Sequence, residues 1–184
     1  VRDRSSIGTQ LIETWAASLG ANTEMIEIGC GGGYPVTRAL ASNDLKIWAV
    51  DSSPTLMATF KTRFPHLPVD CARVSDSSFF NRKFDAAVAI GLVFLLSAEE
   101  QERFIHRIAE IMLPAGRFLF TAPIEIGTWA DITTGIECRS LGCEWYTKVL
   151  TESGFRFGEP IWMRAKTITT MWNANLPLNF FGMC

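Results

Sequence analysis

Met25-Ile26-Glu27-Ile28-Gly29-Cys30-Gly31-Gly32-Gly33-Tyr34-Pro35 is the stretch that decides how the rest of the chain is read. Its first four residues form a short apolar strand carrying an acid. A glycine-packed turn follows, and a helix begins near Pro35. Glycines at 29, 31 and 33 let the backbone turn sharply and come within van der Waals reach of a ligand, where side chains would stand in the way. The following helix directs its positive N-terminal end at the same place. A nucleotide-like ligand lying over the carboxyl end of the first strand is the natural reading. The dinucleotide fingerprint Gly-x-Gly-x-x-Gly would need a third glycine at 34, and Tyr34 stands there instead.

Outward from this turn, strand and helix patterns alternate. Ile7 to Leu19 carries apolar residues at 7, 11, 12, 15, 16 and 19, a helical stripe that Gly20 stops. Ile47-Trp48-Ala49-Val50 is a second strand ending on Asp51, 20 residues after Gly31. That is the distance expected of a carboxylate that grips ribose hydroxyls from the end of a second strand. Ser53 and Pro54 open the next helix as N-cap and first-turn proline, with Leu56, Met57, Phe60 and Phe64 expected inward. A short third strand is expected near Val69–Ala72. Phe84 to Ile90 is continuously apolar apart from Asp85, as a parallel strand buried on both faces should be. Ser97 and Glu100 form a capping box for a helix whose buried face is Phe104, Ile105, Ile108, Ile111 and Met112, with His106 on the polar side. Leu113-Pro114-Ala115-Gly116 stops it before a fifth strand, Arg117–Thr121. Ala122 to Leu141 shows no clear period. Gly142 to Ser153 is a last helix, followed by a strand around Phe155–Ile161. The alternation predicts one α/β domain over residues 1–162, with a doubly wound, mostly parallel sheet.

The totals narrow the function classes. The 184 residues suffice for one domain with a full core, and 48% hydrophobic with 20% charged residues is ordinary for a globular protein. A net charge of −2 gives no electrostatic reason to expect nucleic acid or an anionic membrane as partner. The longest apolar run, Ala86 to Leu96, is about half of what a membrane-spanning helix needs. Val1-Arg2-Asp3-Arg4 leads into an amphipathic helix and not into the apolar core of a signal peptide, and the first residue is not Met, as in a processed or trimmed chain. Five cysteines (30, 71, 138, 143, 184) include no Cys-x-x-Cys pair, and only His66 and His106 exist, so no metal site is expected. Idle thiols in a reducing cytoplasm fit that pattern.

Glu-x-Gly-x-Gly-x-Gly over Glu27–Gly33 resembles motif I of the class I S-adenosylmethionine-dependent methyltransferases, small bacterial members in particular. Asp51, Phe84-Asp85, the Leu-Pro-Ala-Gly turn and Leu141-Gly142 through Gly154-Phe155 agree with that family in order and spacing, over roughly residues 5 to 162. The resemblance implies a seven-stranded Rossmann-like sheet, with S-adenosyl-L-methionine across the carboxyl edges of the first, second and fourth strands. The cofactor-binding residues it implies are Glu27, Gly29, Cys30, Gly31, Gly33, Asp51, Ser52, Val74, Asp76, Ile90, Gly91 and Leu92. Among these, the glycines approach the methionine part and Glu27 holds its ammonium end. Asp51 accepts the ribose hydroxyls, while Ile90, Gly91 and Leu92 flank the sulfonium. Many relatives place an acid on the adenine after the third strand. Arg73 and Val74 align there instead, so adenine recognition would rest on the Val74 backbone with Asp76 or Ser77 nearby. The acceptor implied is a small molecule, with Trp129, Asp131, Thr133 and Thr134 of the aperiodic segment as pocket candidates, and no catalytic residue is assigned.

Residues 163–184 depart from the family, which shows a β-hairpin there with an acidic, His-Tyr-Tyr-containing stretch. Read one base earlier, codons that encode Met163–Trp172 allow Asp-Glu-Gly-Glu-Asn-His-Tyr-Tyr-Asp-Val. A frameshifted tail is therefore the reading, leaving the last hairpin open to being incomplete. Ile168–Trp172 would then serve as an edge strand, and Leu176–Phe181 as an exposed apolar tail. Two rivals stand beside methyl transfer. One is a non-catalytic protein that binds S-adenosylmethionine or a partner, and the other is an NAD-dependent oxidoreductase.

Overall fold

The computed structural model describes residues 7–131, 135–157, 161–163 and 167–174. In chain order its helices are α1 (Ile7–Ala17), α2 (Val36–Leu40), α3 (Pro54–Arg63), α4 (Ala98–Ile111) and α5 (Cys143–Glu152). Its strands are β1 (Glu24–Ile28), β2 (Lys46–Asp51), β3 (Val69–Cys71), β4 (Phe84–Ala89), β5 (Met112–Pro123), β6 (Gly127–Ala130), β7 (Glu137–Ser140), β8 (Phe155–Phe157), β9 (Ile161–Met163) and β10 (Thr167–Ala174).

The main sheet runs β3-β2-β1-β4-β5-β10-β8, with β9 paired to β10 off that path. The five strands from β3 to β5 are parallel, and β10 runs antiparallel to both β5 and β8. Seven strands were expected; among the described residues the sheet has eight, the addition being the three-residue β9. The expected edge strand at 168–172 belongs to β10 and lies inside the sheet, where it pairs β5 from Thr167↔Pro123 to Asn173↔Arg117. Its hydrogen bonds cover the side of β5 that β4 leaves open. Leu176–Phe181 lies outside the described residues.

The local signals act as the sequence suggests. Ser53 caps α3 by accepting from the Leu56 N–H, and Pro54 sits in its first turn. Both halves of the Ser97/Glu100 capping box are formed on α4. Leu56 is the exception on α3: it is 43% exposed, because positions 57 and 60 face the sheet and 56 falls between them and solvent. The Leu113–Gly116 turn is a bulge within β5, where the register against β4 shifts between Phe84 and Ala86.

Helices cover both faces. On β1 and β4 the side chains alternate between two cores, as strand geometry requires. Met25, Ala86 and Val88 join Ile12, Trp15 and Ala16 of α1 and Ala39 and Leu40 of α2. Ile26, Ile28, Ala87 and Ala89 join Phe104, Ile105 and Ile108 of α4 and Val149 and Leu150 of α5. Phe118 anchors the second core, its ring 5.1 Å from Phe120, 5.8 Å from Phe155 and 6.1 Å from Phe104. A third cluster joins Ala49 of β2 to Met57 and Phe60 of α3 and to Cys30 of the glycine turn. The carboxyl ends of β1, β2 and β4 are thereby held side by side on rigid supports.

Outside the main sheet, β6 and β7 form a separate antiparallel hairpin from Gly127↔Ser140 to Ala130↔Glu137. It fills the segment in which the sequence shows no period. The burial pattern of β6 is half-buried and then exposed throughout, so no apolar alternation was there to find.

Candidate functional site

The site begins where β1 ends. Gly29, Gly31 and Gly33 all have positive φ, +73°, +55° and +79°, which glycine adopts without the strain other residues incur. The turn is tied to the neighbouring strand by N–H donation from Gly29 (2.8 Å) and Cys30 (3.3 Å) to the Val50 carbonyl. The three glycines differ in what surrounds them. A Cβ on Gly31 would meet nothing within 4 Å, so its backbone faces open space. A Cβ on Gly33 would lie 2.5 Å from Phe64 Cε2 and 3.1 Å from Phe60 Cδ2, so Gly33 is the point where the turn packs on α3. A Cβ on Gly29 would press on Leu92 at 3.3 Å, which places the loop after β4 directly against the glycine turn. Gly33→Ala is expected to lose about 2 to 4 kcal/mol of unfolding free energy, from backbone strain and the collision with Phe64. Gly31→Ala, in open space, should lose about 1 to 2 kcal/mol from strain alone. Denaturant unfolding of the two variants checks the contrast, and equal losses would contradict it.

Asp51, at the end of β2, is fixed from both sides. Its Oδ2 accepts from the Gly31 N–H at 2.8 Å, and its Oδ1 accepts from the Ser53 N–H at 2.8 Å. An ionised carboxylate has about four lone-pair positions, so two acceptor positions remain for a ligand. Glu27, by contrast, is 2% exposed, and its Oε2 accepts from Thr37 Oγ1 of α2 at 2.6 Å. Burial pushes its carboxyl up to about 8; the Thr37 hydrogen bond opposes this and the nearby Asp51 charge adds to it. Cys30 is buried, and burial first, then the Glu27 and Asp51 charges, raises its thiol well above the ordinary range. It is an inert wall of the site.

On the β4 side, Gly91 has φ +73° with open space at its Cβ position, and its N–H donates to Thr121 Oγ1 of β5 at 2.8 Å. Leu92 packs against the core on one side and Gly29 on the other. Ile90 is partly buried against the α1/α2 core. The structure therefore brings Glu27, Gly29, Cys30, Gly31, Asp51, Gly91 and Leu92 together around one edge. Ser52 is exposed beside Asp51, and Val74 is half-buried against the main core. Asp76 is exposed and accepts from Ser75 Oγ at 2.8 Å. Ser77 is occupied elsewhere: its Oγ donates to Asp70 Oδ2 at 2.9 Å and accepts from the Phe79 N–H.

The β6–β7 hairpin stands beside the loop after β4. The Trp129 ring lies 5.7 Å from that of Phe94. A shallow cleft of about 360 Å³ between hairpin and loop is lined by Leu95, Leu96, Ser97, Ala98, Glu99, Glu137 and Arg139. Gln101, fully buried, donates to the Leu96 carbonyl (2.9 Å) and the Arg139 carbonyl (3.0 Å), and accepts from Tyr146 Oη (2.6 Å). Asp131 begins the hairpin turn, while Thr133 and Thr134 lie outside the described residues.

Three residues that matter here were not singled out from sequence: Thr37, Thr121 and Gln101. Each is a buried polar side chain on an otherwise apolar face. Thr37 shares its face with Leu40 one turn on, which is the only trace of it in the linear chain.

Comparison with known proteins agrees with this geometry. A methyltransferase domain family model matches residues 25–116, from β1 through the bulge of β5. A comparison with curated proteins gives no match. Among solved structures the chain is similar to the N-methyltransferase NodS of Bradyrhizobium japonicum WM9 in complex with S-adenosyl-L-homocysteine. Identity is 19%, the match covers 91% of this chain and 85% of that one, and the TM-score is 0.71. It is also similar to the 1,6-didemethyltoxoflavin-N1-methyltransferase of Burkholderia thailandensis, with 17% identity, coverage of 92% and 79%, and a TM-score of 0.73. A third likeness is to an S-adenosylmethionine-dependent methyltransferase of Clostridium acetobutylicum ATCC 824, with 14% identity, coverage of 90% and 89%, and a TM-score of 0.71. At these identities the structural likeness speaks for the fold, and the family model speaks for the family. The chain belongs to the methyltransferase domain family and is a class I, S-adenosylmethionine-dependent methyltransferase.

Proposed function

We propose that this protein transfers a methyl group from S-adenosylmethionine to a small-molecule acceptor bound between the loop after β4 and the β6–β7 hairpin. The frame is a doubly wound sheet of seven main strands, with helices on both faces. The observation that carries the reading is the pinned Asp51 carboxylate, with two acceptor positions left beside the open backbone of Gly31. That pairing suits a ribose diol lying over the carboxyl end of β2. The absence of side chains at Gly31 and Gly91 leaves a cradle that a Cβ would begin to fill.

When bound, the cofactor supplies a methyl group on an electrophilic sulfonium. The chain's own residues bind and orient. Gly29, Gly31 and Gly33 shape the turn, Glu27 offers a carboxylate to an ammonium, and Ile90, Gly91 and Leu92 give an apolar wall that keeps water out. Val74 and Asp76, with Ser52 at the ribose side, complete the nucleotide end. Holding acceptor and methyl in line is the main source of rate for such a transfer, so no general base has to be named. A net charge of −2 favours a small molecule over nucleic acid as acceptor. Cys30, Cys71 and Cys138 are free thiols, which suits a cytoplasmic setting, and no helix among the described residues is long and apolar enough to cross a membrane. The frameshift reading of residues 163–184 stands as part of this proposal, with the altered side chains falling on β9, β10 and the residues beyond.

Thermal unfolding with S-adenosylhomocysteine and, separately, NAD⁺ tests the reading. A ligand at about 100 times its dissociation constant adds roughly 2.7 kcal/mol of stability, so S-adenosylhomocysteine should raise the Tm visibly and NAD⁺ should not. A shift with NAD⁺ alone would turn the assignment to a nicotinamide enzyme. Binding of S-adenosylhomocysteine without methyl transfer across a metabolite panel would make it a non-catalytic binder.

A further inference from the structure

Glu27 reaches the site with only one of its oxygens engaged. Oε2 is held by the Thr37 hydroxyl at 2.6 Å, and among the described residues its other oxygen has no hydrogen bond. Thr37 itself is fully buried on the inner face of α2 and has no other side-chain partner there. A helical Thr divides between two χ1 rotamers, and burial together with the 2.6 Å bond to Glu27 holds this hydroxyl in one of them. β1 fixes the Glu27 backbone from both sides, pairing Ala49 of β2 and Val88 of β4.

We propose that Thr37 is the positioning residue of the cofactor site: by holding Oε2 it turns the free Glu27 oxygen toward the ammonium of the bound methionine moiety. This rests on the reading of the cofactor site given above. Thr37 lies outside the glycine turn, touches no ligand itself, and acts through Glu27.

The electrostatics of the pocket support the assignment. Asp51 of β2 and Cys30 of the turn are the titratable groups that face Glu27 from the neighbouring elements, and neither brings a positive charge. Without ligand, Glu27 is therefore largely protonated near neutrality. A cationic ligand reverses this, and the proton leaves to solvent as the ammonium pairs with the carboxylate. The Thr37 hydroxyl lowers the cost of that ionisation, because hydrogen bonding to the charged form favours it.

The test is calorimetric binding of S-adenosylhomocysteine between pH 6 and pH 8, in buffers of different ionisation enthalpy so that released protons are counted. Wild type should release close to one proton at pH 7, and Glu27→Gln should release none. Thr37→Val, which keeps the shape and removes the donor, should weaken binding about tenfold at pH 7 and move the pH dependence of affinity upward. Thr37→Ser, which restores a hydroxyl, should return to within about threefold of wild type. Equal affinity and an unmoved pH profile in Thr37→Val would overturn the proposal, as would a loss in Thr37→Ser as large as in Thr37→Val. Failure of wild type itself to bind at any pH would overturn the cofactor reading and this assignment with it. Binding by wild type with an indifferent Thr37→Val would overturn only the assignment.

Discussion

Asp51→Ala should abolish the stabilisation by S-adenosylhomocysteine. The carboxylate accepts one hydrogen bond from the glycine turn and one from the start of α3, and it offers its remaining lone pairs to the ligand. Hydrogen bonds to a charged group contribute about 1.5 to 3 kcal/mol each, so losing two to a ribose weakens binding by roughly a hundredfold or more. At a ligand concentration that adds about 2.7 kcal/mol to wild type, the variant should gain only about 0.4 kcal/mol. The unliganded variant should also lose about 1 to 3 kcal/mol, because the Gly31 and Ser53 N–H groups are left without their acceptor. Asp51→Asn should not rescue binding. An amide has one acceptor oxygen, so its NH₂ would be aimed at one of two N–H donors. Parallel melts with and without ligand check both statements. A variant that keeps the wild-type shift would remove Asp51 from the ligand site.

The unliganded protein should lose stability as pH rises from about 5 to 8, and Glu27→Gln should remove that loss. The carboxyl titrates near 8 in the folded chain against an ordinary 4.5, the value it takes when unfolded. A raised pKa means the folded state holds a proton that the unfolded state has released. The resulting stability is fully present below pH 4.5 and declines as pH climbs, until it is gone above about 8. The slope for one fully coupled group is roughly 1.4 kcal/mol per pH unit, and the whole effect is on the order of 5 kcal/mol. Urea unfolding of wild type and Glu27→Gln across this range isolates the contribution, since all other groups are shared. The two curves should cross the range with different slopes, with the glutamine form the more stable at pH 8. Parallel curves would mean that Glu27 is ionised throughout. The acid costs stability for the sake of a ligand, a trade often met at functional sites.

Much of this site is legible in the linear chain because its geometry is local. The glycine turn, the acid two residues before it and the acid at the end of β2 are set by backbone conformation and by spacing along two short strands. The same holds for Ser53 and for the Ser97/Glu100 box, where a cap and its partner lie within one helical turn. What the sequence hides is tertiary. Thr37 reads as one more residue of a short helix until α2 is laid against β1. Gly33 resembles Gly31 in the motif, yet one meets the Phe64 ring and the other meets space. β6 is exposed over most of its length and β7 buries only Cys138 and Ser140, so neither shows an apolar period that would betray it. The place of β10 depends on which strand has a free edge, a property of the assembled sheet and not of Thr167–Ala174 itself.

The position of β10 also matters while the protein is being made. Each strand from β2 to β5 can pair with one neighbour already made as it leaves the ribosome: β2 and β4 with β1, β3 with β2, and β5 with β4. The outer side of β5 must wait until Thr167–Ala174 has been translated, and those roughly 50 residues take on the order of 3 to 10 s at ordinary elongation rates. For that interval the nascent chain carries an open strand of Phe118, Leu119 and Phe120, the kind of edge on which chains aggregate. A chaperone that shields it until synthesis is complete would raise the yield of folded protein, and slowing translation after residue 123 would lower it.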